Sequence, residues 1–129
     1  MKYLDLKLLL FIVVIVLGTK LKSQEFLTPD NFTDNTIKNI VAVEFWVSWN
    51  SSNEFADLSE LKDCSKYRVD IAKNPELQKE YDVTSIPTVI IFENGEEKER
   101  FKANIMFELE SNKKEIQGTI DDIMLAKFN

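Results

Sequence analysis

Histidine is absent from the 129-residue chain, and Cys64 is its one cysteine. Without histidine there can be no Ser-His-Asp or Cys-His catalytic arrangement, and no imidazole is available to hold zinc. One cysteine cannot close an intramolecular disulfide. Most hydrolase and metalloenzyme classes are therefore excluded, and we expect neither a cofactor nor a metal.

Glycine and proline are scarce, with three of each, and no linker or internal repeat is visible. The length predicts one domain. Basic side chains are outnumbered: residues 24–129 contain 12 basic and 21 acidic residues, a net charge of −9. Because a surface of this sign repels phosphates, neither nucleic acid nor anionic lipid is an expected partner.

The first 23 residues have a different composition from the rest. Residues 8–17 form an unbroken run of ten apolar residues, flanked on both sides by charged ones. Such a run is shorter than the roughly 20 residues that span a bilayer, and it matches the apolar region of a signal peptide. We therefore predict that residues 1–23 are a signal peptide and that residues 24–129 are an exported domain, periplasmic or extracellular. Leu21 fits a cleavage site poorly, so the alternative is a retained N-terminal membrane anchor, which would then be the one membrane contact.

Hydrophobic patterns after this leader alternate between strand and helix types. Apolar, β-branched and aromatic runs predict strands at 41–47, 67–71, 87–92 and 98–102, the last two joined by an Asn-Gly turn. Helical spacing and start signals predict helices at 29–39, from Ser51, from Pro75 and at 112–127. This order predicts the α/β class, with a mixed β-sheet flanked by helices.

The predicted helix after Ser51 matters for the cysteine. Its Ser51-Ser-Asn-Glu54 start is a capping-box pattern, and its apolar face would continue as far as Cys64. That position predicts a small buried apolar residue rather than an activated thiol. The alternative is a free thiol that pairs with another molecule.

Three stretches together resemble the thioredoxin family: VAVEFWVSWNSSN (41–53), YRVDIAKNPELQKEYDVTSIPTVIIFENGE (67–96), and the closing strand and helix. The resemblance implies a thioredoxin-like mixed sheet and a cis peptide bond before Pro87. The family's reactive motif is Trp-Cys-x-x-Cys at a helix N-terminus. Trp49 matches its tryptophan, whereas Asn50 and Asn53 replace the nucleophilic and the resolving cysteine. An amide has no thiolate form, so the resemblance implies a redox scaffold without redox chemistry.

The resemblance also implies a groove for an extended peptide, formed by Trp49, Asn50, Ile86, Pro87 and Ala103. Backbone hydrogen bonding to such a peptide requires no cysteine. We therefore predict a non-catalytic module that binds a peptide or an exported protein. The alternatives are a thiol-disulfide oxidoreductase of this family, and an inert structural or assembly domain.

A buried acid of the family is matched by Glu44, and a lysine near that acid is matched by Lys66. The resemblance therefore implies a partly buried Glu44–Lys66 ion pair. The alternative function, a thiol-disulfide oxidoreductase, would depend on Cys64 as a single reactive thiol, far from the groove.

Overall fold

The computed structural model of the chain describes residues 24–128. Within this range four strands form one sheet: β1 (Ile40–Trp46), β2 (Ser65–Asp70), β3 (Thr88–Glu93) and β4 (Glu96–Lys102). Their spatial order is β2-β1-β3-β4, with β2 parallel to β1 and the other two pairs antiparallel. The predicted mixed sheet is confirmed. The predicted signal peptide lies outside the described residues.

In the described residues three α-helices accompany the sheet: α1 (Pro29–Thr36), α2 (Pro75–Glu80) and α3 (Lys113–Ala126). Proline opens the first two, at a position where its missing N–H costs nothing. The third is capped by Asn112, whose side-chain oxygen accepts a hydrogen bond from the N–H of Glu115 at 2.9 Å. Among residues 24–128 no helix combines the length and apolar character needed to cross a membrane.

Apolar side chains cover both faces of the sheet. Phe32 of α1 and Leu77 of α2 belong to one buried cluster, and Leu58 and Ile116 belong to the other. The central strand β1 lies between these clusters and is buried from Ile40 to Phe45. The carboxyl end of β1 and the segment that follows it are therefore held in a fixed position at one edge of the core.

The predicted helix from Ser51 is wrong. Two short 3₁₀ helices take its place, Ser48–Asn53 and Ala56–Glu60. They are separated because Glu54 and Phe55 leave the helical region, with ψ angles of 155° and 89°. Cys64 consequently lies outside any helix, directly before β2.

The break between the two 3₁₀ helices has a chemical cause. The N–H of Phe55 donates to the buried carboxylate of Glu44 at 2.8 Å, instead of to a carbonyl one turn earlier. The Glu54 carboxylate, which a capping box would direct back to Ser51, accepts a hydrogen bond from the indole N–H of Trp46 at 3.3 Å. The S-x-x-E pattern therefore supports the packing around β1 rather than a helix start.

The hairpin between β3 and β4 follows its sequence signal. Asn94 and Gly95 both have positive φ angles, 51° and 85°, as a type I′ turn requires. Their N–H groups donate to the carbonyls of Asn39 and Thr36. The turn is thereby tied to the end of α1.

Candidate functional site

The first 3₁₀ helix carries the exposed tryptophan of the candidate site. Trp49 follows β1 by three residues and is 66% exposed, which is unusual for so large an apolar side chain. Its indole packs against Phe107 in a T-shaped arrangement, with ring centroids 5.3 Å apart and planes at 90°. The two rings thus bring together the end of β1 and a loop that follows β4.

Asn50 is buried, in contrast to its neighbour Trp49. Its side-chain nitrogen donates to the backbone carbonyl of Phe107 at 3.0 Å and to that of Ile86 at 3.4 Å. Its side-chain oxygen accepts a hydrogen bond from the Asn53 amide at 2.9 Å. Both hydrogens and the oxygen of this amide are therefore used within the protein, and Asn50 joins three separate segments.

The segment before β3 supplies the second wall of the site. Ile86 and Pro87 are buried, and the peptide bond between them is cis, as the resemblance implied. Among residues 24–128 no group accepts a hydrogen bond from the Ile86 N–H, and the Ile86 carbonyl keeps one lone pair beyond the one facing Asn50. This residue thus presents backbone groups for one further partner.

A loop after β4 supplies the third wall. Ala103 is half-buried and pairs with Leu109 in an isolated antiparallel bridge, which closes the loop between them. The side-chain oxygen of Asn104 accepts hydrogen bonds from the N–H groups of Met106 and Glu108 at 2.9 and 3.1 Å. The loop is therefore ordered by its own hydrogen bonds as well as by Asn50.

This loop directs apolar side chains toward solvent. Ile105 is 94% exposed and Met106 is 66% exposed, while Phe107 is about half exposed with a positive φ of 59°. We call Trp49, Ile105, Met106 and Phe107 the apolar rim. Of the residues in the apolar rim and its loop, only Trp49 and Ala103 were predicted from the sequence. The run Ile-Met-Phe between polar residues was the available signal for the other three rim residues.

The predicted Glu44–Lys66 ion pair is wrong. Glu44 is fully buried, and its carboxylate accepts a hydrogen bond from the guanidinium of Arg68 at 2.9 Å. In the parallel register Arg68 lies opposite Glu44, whereas Lys66 lies opposite Ala42. The Lys66 ammonium turns instead to the carbonyl of Leu61, at 2.8 Å.

Arg68 completes a small buried network. It also donates to the Phe55 carbonyl and pairs with the Glu54 carboxylate, both at 3.0 Å. Burial nevertheless raises the pKa of Glu44 above its ordinary value, and the hydrogen bonds from Phe55 and Arg68 offset this only in part. The network accordingly fixes the two 3₁₀ helices to the sheet, next to the candidate site.

Cys64 is half-buried, packed beside the cluster that contains Leu58 and Ile116. Burial raises the pKa of its thiol to about 11, although the charge of Lys66 acts in the opposite direction. Since the thiolate is the nucleophile, this thiol is poorly suited to attack a disulfide near pH 7. Cys64 therefore packs against the core, but it is half-buried and outside any helix, whereas the sequence pattern predicted a buried residue on a helix face.

Groups able to bind a metal are not assembled at the site. In the described part of the chain, no cluster of three or more histidine, cysteine, aspartate or glutamate side chains could hold an ion. The two side chains that the resemblance aligns with the reactive cysteines, Asn50 and Asn53, are neutral amides that are hydrogen-bonded to each other. The geometry offers hydrogen-bonding backbone and apolar contact area rather than a nucleophile.

Comparison with known proteins identifies the class. The family model described as Thioredoxin matches residues 23–122, so the chain belongs to the thioredoxin family. Thioredoxin of Chlamydia trachomatis is 30% identical over 82 residues, which cover 59% of this chain and 80% of that protein. Thioredoxin of Rickettsia bellii is 37% identical over 81 residues, covering 56% and 77%.

A solved structure supports the same fold. A mutant thioredoxin from Halobacterium salinarum matches with a TM-score of 0.63 and 19% identity, covering 78% of this chain and 88% of that one. The chain is thus a thioredoxin-like protein with one cysteine, and that cysteine lies outside the Trp49–Asn53 segment.

Proposed function

We propose that residues 24–129 act as a redox-inactive thioredoxin-like module that binds an extended segment of an exported protein. The segment would lie in the groove formed by Trp49, Asn50, Ile86, Pro87 and Ala103. One observation carries this proposal: the exposed Trp49 adjoins Asn50, which contacts Ile86, and the N–H of the buried Ile86 has no acceptor among the described residues. A backbone N–H without an internal acceptor is free to donate a hydrogen bond to the carbonyl of a bound peptide.

Strand addition would satisfy the Ile86 backbone. An extended peptide offers a carbonyl and an N–H at every second residue on one edge, as in other peptide-binding sheets. Its side chains would then lie against Trp49, which provides a large rigid surface of the kind enriched in binding hot spots. Neither contact involves a thiol.

Catalysis of thiol-disulfide exchange is the less favoured function. Asn50 and Asn53 cannot form a mixed disulfide, and the Cys64 thiol has a pKa of about 11. The Asn50 amide is also occupied by Ile86, Phe107 and Asn53. In this proposal Asn50 is therefore a positioning residue for the groove walls.

Export is the part of the proposal that depends on the leader. An apolar run of ten residues between charged flanks supports secretion, with cleavage near Gln24. N-terminal sequencing of the protein from its native host tests this. A new terminus near Gln24 supports export, whereas an intact Met1 in the membrane fraction would favour an anchor.

Selection from a random decapeptide display library tests the binding function. We expect enrichment of a related set of peptides by the wild-type domain. Trp49→Ala should weaken their binding by about 30-fold, since truncating a hot-spot tryptophan costs about 2 kcal/mol or more. Leu125→Ala is the matched control, because Leu125 is 64% exposed on α3.

N-methylated peptides test the contact with the backbone. Methylation of one peptide nitrogen removes a donor, so binding should be lost at the one position whose N–H donates to the Ile86 carbonyl and kept at the positions on the other edge of the peptide. A selection without enrichment, or Trp49→Ala binding as tightly as Leu125→Ala, would favour an inert structural domain.

A further inference from the structure

The groove is bordered on one side by an acidic depression of about 380 Å³. Its lining includes Asn53, Glu54, Asp57, Glu108 and Lys113. Two links join it to the groove: Asn53 donates to Asn50, and Glu108 directly follows Phe107 of the apolar rim. A peptide that contacts Phe107 can therefore place a neighbouring side chain in this depression.

Two of the carboxylates in the depression are free to meet a ligand. Glu108 is exposed and Asp57 is half-buried, and neither has a salt-bridge partner anywhere in residues 24–128. Glu54 differs, because its carboxylate already pairs with Arg68 at 3.0 Å. The depression thus keeps two uncompensated negative charges.

The nearby cations offset these charges only in part. Lys113 at the margin of the depression pairs with Glu60, although at a long 4.0 Å. Lys102 comes just before Ala103, but it follows Phe101 on the strand and so points to the opposite face of the sheet. Phe101 itself packs on the same side as Leu109, where the depression lies.

We propose that the bound segment is basic and amphipathic. It places one large apolar side chain on the apolar rim and a lysine or arginine, one to three residues away, against Asp57 and Glu108. Charge complementarity selects this occupant over an acidic one, which would bring like charges together in a domain of net charge −9. The inference rests on the proposed function and adds the chemical class of the partner.

The peptides recovered from the random decapeptide library provide the first test. We expect lysine or arginine to be over-represented within three positions of an aromatic or large aliphatic residue, and acidic residues to be depleted. Enriched peptides without an excess of basic residues would overturn this inference and leave the groove function standing. A library that yields no enriched peptide would overturn both.

Charge removal provides the second test, with a synthetic copy of the most enriched peptide as the probe. Asp57→Asn combined with Glu108→Gln should weaken binding by about ten-fold at low salt, since exposed charge pairs contribute up to about five-fold each. The loss should shrink at about 0.5 M salt, where charges are screened within a few ångströms.

A matched variant separates this local effect from the general acidity of the domain. Glu99→Gln combined with Asp122→Asn removes the same number of charges at a second depression, beside the later part of α3. We expect the affinity of this variant to stay within two-fold of the wild type. Equal losses in the two double variants would show that only overall charge matters, and would overturn the assignment of Asp57 and Glu108.

Discussion

Replacing Arg68 by methionine should destabilise the domain more than any other single change in the network around Glu44. Methionine keeps much of the side-chain length and apolar contact of Arg68 but removes the guanidinium, which donates to Glu44 at 2.9 Å. Glu44 is fully buried, so only the Phe55 N–H would remain to stabilise its charge. We expect a loss of about 3–5 kcal/mol in the free energy of unfolding, the usual cost of an uncompensated buried charge.

Two comparison variants serve as controls for the expected cost of Arg68→Met. Glu44→Gln removes the charge but keeps the shape and one acceptor, and Arg68 can still pair with Glu54. We expect this change to cost about 1–2 kcal/mol. Lys66→Met removes a hydrogen bond to the Leu61 carbonyl and leaves Glu44 untouched, so it should cost about 0.5–1.5 kcal/mol.

The pH dependence follows from the raised pKa of Glu44. The folded protein binds the proton of Glu44 more tightly than the unfolded chain does. Protonation of Glu44 therefore stabilises the folded state, and this contribution is complete below the pKa of about 4.3 in the unfolded chain. It is lost as the pH rises through the folded pKa. Removing Arg68 raises that pKa further, so the penalty of Arg68→Met should be larger at pH 8 than at pH 5.

Denaturant unfolding followed by tryptophan fluorescence at pH 5 and pH 8 measures both effects. The wild type and the three variants should be compared at equal ionic strength, with the slopes of the transitions checked for equality. If Arg68→Met costs no more than Lys66→Met at pH 8, Arg68 is not the partner of Glu44. An equal cost at the two pH values would refute the argument from the raised pKa.

Three further predictions concern the site and the thiol. Asn50→Ala should lower the free energy of unfolding by about 1–3 kcal/mol, because it leaves the buried Ile86 carbonyl without this donor and removes a second hydrogen bond to the partly buried Phe107 carbonyl. Proteolysis should become faster in the loop of Ile105 and Phe107, and unchanged cleavage there would contradict the role of Asn50 in holding this loop. Iodoacetamide should alkylate native Cys64 at pH 8 on the order of 100 times more slowly than the unfolded chain, as its raised pKa requires, and equal rates would contradict this. The purified domain should reduce insulin disulfides no faster than its Cys64→Ser variant, and clear turnover above that control would restore the oxidoreductase interpretation.

Much of the fold was predictable because its signals are local. The alternation of strand and helix patterns, the Asn94-Gly95 turn and the proline at the start of α1 each specify backbone shape within a few residues. The motif around Pro87 allowed the cis bond to be predicted from the resemblance, and the described structure has it.

The errors arose where long-range contacts override local patterns. Ser51 and Glu54 have the spacing of a capping box, yet Glu54 is held by Trp46 and Arg68. The partner of Glu44 depends on the register between β1 and β2, which a single sequence does not reveal. Lys66 and Arg68 lie on the same face of β2, two residues apart. A shift of the strand register by two residues would therefore place Lys66 instead of Arg68 opposite Glu44.

The loop of the apolar rim was missed for a similar reason: its order depends on Asn104 and on a contact with Asn50 from a distant part of the chain. This contact also bears on why an amide suits position 50 better than a thiol would. A cysteine offers one weak donor and a weak acceptor, whereas the Asn50 amide donates twice and accepts once. Only the amide can hold the carbonyls of Ile86 and Phe107 together while receiving the Asn53 side chain. In the proposed function, the amide that leaves position 50 without a thiol therefore also fixes the loop beside Trp49, so one side chain accounts for both the missing nucleophile and the placement of the apolar rim.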